Sequence, residues 1–412
     1  MPSTARSIAR SATLVCDIGA LGFLRVLDAD SRFISVETRV RGPFRIARID
    51  RHTGDIDLLR SPLPLLNLNL CSFSGESWAN ASNKKSPSRR TLITWQNSLG
   101  GFCHSIAVDG EWTLGTYCAS AARKVFVATR RSTEDGGGRI LCCRDSEILW
   151  HYESAECLDL PSFTTGIRRI VRAYPTRAAC LDDGSSVAFS FFNFLYILGA
   201  NGELLASFSM AELCSELFQR DFSQQLSSES HEVVSEDDIA VEFSIGTYTD
   251  GAELPLVKQI VPLSPSNVFL VSYRNALIWI TSSGKVAHAI QLSLGAAHGI
   301  GDTGSICHIE ASEDGRVIIA HVGCCGVCVI IDGKEYSTFH ERADDWHQCA
   351  LDKQNNLIAI HSRRTEKIGL YDLSCNALAQ IPTQNSIRDL IIPGRSQLLF
   401  VIGETTQLFD LR

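Results

Sequence analysis

The sequence lacks every short motif that would assign a chemistry by itself. It has no Gly-x-Ser-x-Gly elbow, no phosphate-binding loop and no His-Glu-x-x-His pair, which weakens readings as a serine hydrolase, a P-loop nucleotidase or a zincin. It also lacks an excess of positive charge. With 38 Lys and Arg against 46 Asp and Glu, the formal net charge is −8, which argues against a general nucleic-acid binder and against a polybasic membrane anchor. No apolar run approaches the roughly 20 residues needed to span a bilayer. The first ten residues carry Arg6 and Arg10, with no acid before Asp17, but not the apolar core of a secretory signal. Cysteine is not scarce, yet the 15 cysteines are odd in number and lie in apolar runs such as Ile140-Leu141-Cys142-Cys143. That usage suits small buried hydrophobes in a reducing compartment better than a disulfide framework, so the expected location is cytoplasmic. At 412 residues and 45% hydrophobic content the chain can bury a core without bridges or metal.

What is present is a repeated pair of tight turns. Asp314-Gly315 is followed, after an alternating apolar stretch, by Asp332-Gly333; the same grammar recurs at Asp183-Gly184 with Asn201-Gly202, and at Ser266-Asn267 with Ser283-Gly284. Two turns enclosing strand-length runs, recurring roughly every 40 residues, describe a series of four-stranded sheets. The clearest unit runs from an inner strand at Ile167–Ala173 through Val187–Phe192 and Phe194–Leu198 to Leu204–Phe208. Its rhythm repeats in Val257–Leu292, Ile306–Phe339, Cys349–Ile381 and Ile387–Leu411. About six short strands fit between Thr91 and Tyr152. The last unit stops after its third strand, and Ala12–Ile18 is the natural segment to pair with it. The predicted fold is an all-β propeller of seven four-stranded blades, possibly eight, closed by this N-terminal strand and carrying one helical insertion. A single domain over 1–412 is expected, interrupted by an inserted loop at 61–90 and by a helix plus acidic loop at 209–239.

The strand ends Tyr371-Asp372-Leu373 and Phe409-Asp410-Leu411 resemble the Trp-Asp ends of WD-repeat propellers, although no Gly-His pair opens the repeats. The run Leu195-Tyr196-Ile197-Leu198 before Asn201-Gly202-Glu203-Leu204 is similar to the outer hairpin of quinoprotein-like and lactonase-like propellers. These resemblances imply a degenerate β-propeller repeat protein. They also imply that connectors between one sheet's outer strand and the next sheet's inner strand lie on the face where ligands bind.

Two segments stand out as functional candidates. Ser209 and Glu212 form a capping box, and Met210, Leu213, Leu217, Phe218, Phe222 and Leu226 share one helical face. That face is expected either to pack on its own propeller or to bind a protein partner. The connector from His340 to His347 gathers His340, Glu341, Asp344, Asp345 and His347 around Trp346, a set that would suit general acid–base work or a divalent metal. Cys325 and Cys328 have a two-residue gap but no second pair elsewhere, and they read as buried thiols. Arg168, Arg169, Arg172 and Arg177 surround a predicted inner strand and read as a solvated rim. The expected function is a protein interaction platform with a protein partner, no cofactor and no resident metal. The alternative is a small-molecule hydrolase or lyase whose site is the His340–His347 connector.

Overall fold

A computed structural model describes residues 13–17, 23–29, 32–38, 46–59 apart from 51, 71–73, 77–82, 90–97, 102–109, 112–131 apart from 121 and 123, and 138–154 apart from 145 and 146. It further describes 175–219 apart from 192 and 193, 257–294, 305–340 apart from 313 and 324, 347–352, 357–362, 367–382, 387–392 apart from 388, 398–402 and 406–411.

Strands dominate them. In chain order they are β1 (Thr13–Asp17), then β2 (Phe23–Ala29), β3 (Phe33–Thr38), β4 (Ile46–Asp50) and β5 (Ile56–Leu59) as one sheet. The next sheet holds β6 (Cys71–Phe73), β7 (Ser77–Ser82), β8 (Arg90–Asn97) and β9 (Phe102–Asp109). It is followed by β10 (Trp112–Ala119), β11 (Val125–Arg131), β12 (Gly138–Arg144) and β13 (Glu147–Ser154). Then come β14 (Pro175–Cys180), β15 (Ser186–Phe191), β16 (Phe194–Gly199) and β17 (Leu204–Ser209), after which the helix α1 (Met210–Phe218) intervenes. Another sheet comprises β18 (Val257–Leu263), β19 (Val268–Tyr273), β20 (Ala276–Thr281) and β21 (Val286–Gln291). The next is β22 (Ile306–Ala311), β23 (Val317–Val322), β24 (Gly326–Ile331) and β25 (Lys334–His340). The one after is β26 (His347–Asp352), β27 (Leu357–Ser362), β28 (Lys367–Tyr371) and β29 (Ala377–Pro382). The final strands β30 (Asp389–Ile391), β31 (Leu398–Ile402) and β32 (Thr406–Asp410) take β1 as their fourth partner.

The expected ring of seven blades is corrected by this topology, in which the described strands make eight four-stranded sheets. The reason lies in segment 61–90. Apart from a possible strand at 65–73 it was expected to be an inserted loop, but it contains β6 and β7, and β7 pairs with β8 from Ser77 opposite Asn97 to Ser82 opposite Leu92. Ser-Trp-Ala-Asn-Ala-Ser carries no β-branched residue and only Trp78 as a strand former, so its own propensity is weak and its partner contributes most of its strand character. The inner strand of the clearest unit also moves, to Pro175–Cys180; Ile167–Ala173 lies outside the described residues. The N-terminal pairing is as expected, with β1 antiparallel to β32 through Thr13 opposite Asp410 and Asp17 opposite Gln407.

The chain divides into two compact units. One comprises Met1–Leu65, Ser98–Gly101 and Glu310–Arg412; the other comprises Leu66–Asn97 and Phe102–Ile309. Within each unit the cores lie between consecutive sheets. In the second unit, Phe126, Ile140 and Cys142 of one sheet pack on Val187, Phe189, Tyr196 and Leu198 of the next, with Phe189 stacked on Tyr196 at 5.0 Å. The following layer joins Ala188, Leu195 and Ile197 to Phe269, Val271, Ile278 and Ile280. In the first unit, Val317, Ile319, Val327 and Val329 meet Cys349, Leu351, Ile358 and Ile360, and the next layer joins Leu357, Ala359, Ile368 and Leu370 to Leu399, Val401 and Phe409. Central strands such as β19 and β23 are buried along their whole length, which is why they read as continuous apolar runs rather than as alternation.

First strands of successive sheets are stitched by side chains. Arg177 Nε donates to the Lys258 carbonyl. Gln259 both donates to and accepts from the backbone of Ile309, at 2.9 and 2.8 Å, and Leu351 N donates to Glu310 Oε2 at 2.9 Å. These bonds satisfy backbone groups that no ladder partner reaches.

Turn carboxylates fix the hairpins. Asp183 is held below its ordinary value of 3.8 by the Ser185 backbone NH. Asp314 is lowered by the Ser312 hydroxyl and then by the Arg316 backbone NH. A carboxyl whose folded pKa is depressed contributes stability that is present above the unfolded value of about 4 and is lost as pH falls through the folded value. Urea unfolding as a function of pH is therefore expected to give a plateau above about pH 4 and a fall below it. The fall should be shallower in Asp183→Asn/Asp314→Asn, and equal slopes would refute these turn contributions.

Candidate interaction surface

Of the amphipathic helix plus acidic loop expected over 209–239, the described residues contain a helix at Met210–Phe218, and 220–239 lie outside them. The helix covers nine residues and ends where Gln219 takes a left-handed conformation, at φ 50, a common way to stop a helix. Ser209 is the N-cap residue, but its side chain makes no capping hydrogen bond, so the capping box is not formed. Met210 and Cys214 are fully buried in the core between the β14–β17 and β18–β21 sheets, and Leu213 and Phe218 pack partly against it. Burial pushes the Cys214 thiol up to about 12, which makes it a packing group rather than a nucleophile. Leu217 stays 39% exposed. Phe222 and Leu226 lie outside the described residues.

His340 is the last residue of β25 and His347 the first of β26, so the connector does join one sheet's outer strand to the next sheet's first strand. Glu341, Asp344, Asp345 and Trp346 lie outside the described residues. Among the described residues, no group of three or more His, Cys, Asp or Glu side chains is placed to hold a metal ion. Cys325 and Cys328 are both buried, separated by Val327 and by Gly326 at φ 125, and burial pushes the Cys328 thiol up to about 12. Arg177 spends its Nε on the Lys258 carbonyl; Arg168, Arg169 and Arg172 lie outside the described residues.

A feature that the sequence reading missed recurs on the outer strands. In β13, Cys142 opposes Trp150 and Cys143 opposes Ile148, leaving Leu149 as an extra residue. The same bulge leaves out Leu205 in β17, Tyr336 in β25 and Leu378 in β29. These four are among the exposed large apolar side chains, at 39%, 40%, 57% and 41%. A bulge shifts the alternation by one residue and turns an apolar side chain outward. The local signal was present as paired apolar residues just after the turn: Ile148-Leu149, Leu204-Leu205, Ala377-Leu378.

At three of these bulges the next residue contacts the neighbouring sheet. Trp150 Nε1 donates to the Ala200 carbonyl at 2.8 Å, and Ser337 Oγ donates to the Leu373 carbonyl at 2.6 Å. Ala206 packs under the turn at Gly284. Asp372, half of the WD-like strand end, instead organises its own hairpin: it accepts from the backbone NH groups of Ser374 and Asn376 and from the Asn376 amide, all at 2.9 Å.

No family model matches the chain, and no curated protein matches it. Solved structures do. The chain is similar to the C-terminal WD40 domain of Sif2, with 9% identity, TM-score 0.57, and coverage of 99% of this chain and 98% of that one. It is also similar to the computationally designed Ika8 protein, with 9% identity, TM-score 0.56 and coverage of 97% and 99%. BamB from Moraxella catarrhalis gives 10% identity, TM-score 0.54 and coverage of 97% and 100%. At such identities the likeness concerns the fold, and the fold is that of a degenerate β-propeller repeat protein.

Proposed function

We propose that this chain is a protein interaction platform working in a reducing, cytoplasmic setting. The observation that carries the reading is that bulged outer strands turn large apolar side chains outward within each unit: Leu149 and Leu205 in one, Tyr336 and Leu378 in the other. A bulge spoils an edge for strand addition, so a partner would read these side chains rather than the backbone. Leu217 on α1, with Leu213 and Phe218 at its margins, adds a helical contact next to the sheets. A rigid sheet framework presents such points at little ordering cost. Among the described residues, Cys142, Cys143, Cys180, Cys214, Cys328 and Cys375 are thiols outside any disulfide, in keeping with a reducing compartment. Among the described residues no helix is long and apolar enough to cross a membrane.

The test is affinity capture of the full tagged chain from its native extract, beside Leu205→Glu and Leu217→Glu. Both positions are exposed, so stability should shift by no more than about 0.5 kcal/mol. A stoichiometric protein partner retained by the wild type and lost from at least one variant is expected. Retention of none, or equal retention by all three, would overturn the reading.

A further inference from the structure

One outer strand lacks a feature that the others share. β1, β9, β13, β17, β21, β25 and β29, each at the outer end of its sheet, all carry a bulge against the strand beside them. β5, at the outer end of the β2–β5 sheet, does not: Ile46, Ala47, Arg48 and Ile49 face Leu59, Leu58, Asp57 and Ile56 in unbroken register. A regular edge keeps its backbone groups in line for a further strand, whereas a bulge breaks the line. Among the described residues, no strand pairs on the far side of β5.

The backbone of β5 is aimed and held. Asp50 N donates to the Asp55 carbonyl at 2.9 Å, so antiparallel alternation gives the amides of Asp57 and Leu59 to β4 and turns the N–H and C=O groups of Ile56 and Leu58 to the open edge. The turn before the strand is tied at both ends. Asp50 accepts from the backbone N–H groups of His52 and Thr53, and Thr53 Oγ1 donates to the Asp55 carboxylate at 2.7 Å. Leu58 is 43% exposed. Arg48 donates to one oxygen of the Asp57 carboxylate at 3.2 Å, yet the Asp57 side chain stays 65% exposed, steadied without being covered.

We infer that the β5 edge is a docking site for an extended, basic segment of a partner protein, added as a further antiparallel strand. Ile56 and Leu58 supply two N–H donors and two C=O acceptors, and antiparallel pairing gives each of them both bonds to a single partner residue. Asp57 lies between them and selects charge. The residue opposite Asp57 falls in a non-hydrogen-bonded pair, where facing side chains come closest, so Lys or Arg is favoured there and Asp or Glu is rejected. A second copy of this chain fits poorly, because the register that pairs Ile56 with Leu58 of the copy sets one Asp57 against the other. At four residues, β5 is short enough to resist indiscriminate pairing while admitting a strand of matching charge. The inference rests on the interaction reading above only in taking the partner to be a protein; it concerns backbone groups rather than exposed apolar side chains.

The experiment titrates the full-length protein with the fluorescein-labelled peptide Thr-Val-Lys-Val-Thr and with its counterpart Thr-Val-Glu-Val-Thr, reading fluorescence anisotropy. Saturable binding of the lysine peptide is expected, about fivefold tighter than that of the glutamate peptide. Leu58→Pro removes only an outward N–H, so the β4–β5 ladder survives, and it should weaken binding about tenfold. Leu58→Ala keeps that N–H and should lose less. Asp57→Lys should reverse the order of the two peptides, and it decides alone if Leu58→Pro does not fold. Leu205→Glu and Leu217→Glu should bind the lysine peptide as the wild type does, which separates failure of the apolar contacts from failure of this edge. No saturable binding, equal binding of the two peptides, or a loss in Leu58→Ala as large as in Leu58→Pro would each overturn the inference, as would a wild-type dimer that Leu58→Pro abolishes.

Discussion

Deleting residues 1–20 is expected to lower the melting temperature sharply, because it removes a strand on which the last sheet depends. β1 pairs with β32 at four positions, with a bulge between Leu14 and Cys16. At about 1 kcal/mol for each ladder hydrogen bond, the loss is on the order of 4 kcal/mol. Phe409 and Leu411, now buried in the layer against the β26–β29 sheet, would then sit on or beside an unpaired edge, where fraying and edge-to-edge association begin. Differential scanning calorimetry and gel filtration of the truncated chain measure both effects. A melting temperature equal to that of the full chain would contradict the role of β1.

Gly284→Ala is expected to be nearly as damaging, although it adds one methyl group on a surface turn. Gly284 has φ +77, and a Cβ there would lie 2.3 Å from the Cβ of Ala206. A left-handed non-glycine residue costs about 1–3 kcal/mol, and overpacking against a side chain with no rotamer to change adds about 1–3 kcal/mol. Gly202 provides the control. Its φ is +83, but the Cβ would meet the Trp150 ring at 2.7 Å, and a ring can tilt. Denaturant unfolding should therefore show a larger loss for Gly284→Ala than for Gly202→Ala. Equal losses would mean that backbone conformation, not sheet-to-sheet contact, dominates at both turns, and the reverse order would mean that the Trp150 ring yields less than Ala206 does.

The legible part of the fold was its punctuation. Asp332 and Gly333 both adopt positive φ, at 49 and 75, as a two-residue hairpin between alternating runs demands, and β24 and β25 pair on either side of them. The six strands expected between Thr91 and Tyr152 are β8 to β13. What failed to show was structure that depends on a partner. β7 has only Trp78 as a strand-favouring residue and pairs along its whole length with β8. The apolar periodicity running past Phe218 described a helix that stops at Gln219, since periodicity records which residues could face a core but not where the backbone turns away.

The candidate residues divide along the same line. His340 and His347 fall at the two strand ends where the repeat rhythm placed them, because strand boundaries are set by local turn chemistry. The exposure of Leu205 beside the packed Ala206, and the complete burial of Tyr273, could not be read in the same way. One extra residue in an outer strand exchanges the solvent face for the packed face, and whether a turn residue is covered depends on elements that are distant along the chain, such as α1 and β22. Turn residues and apolar alternation act over a few residues, and they are enough to specify a chain of four-stranded antiparallel sheets. The number of sheets, the apolar side chains left outside and the polar ones enclosed rest on strand register and on one sheet stacking against the next, which no local stretch of residues encodes.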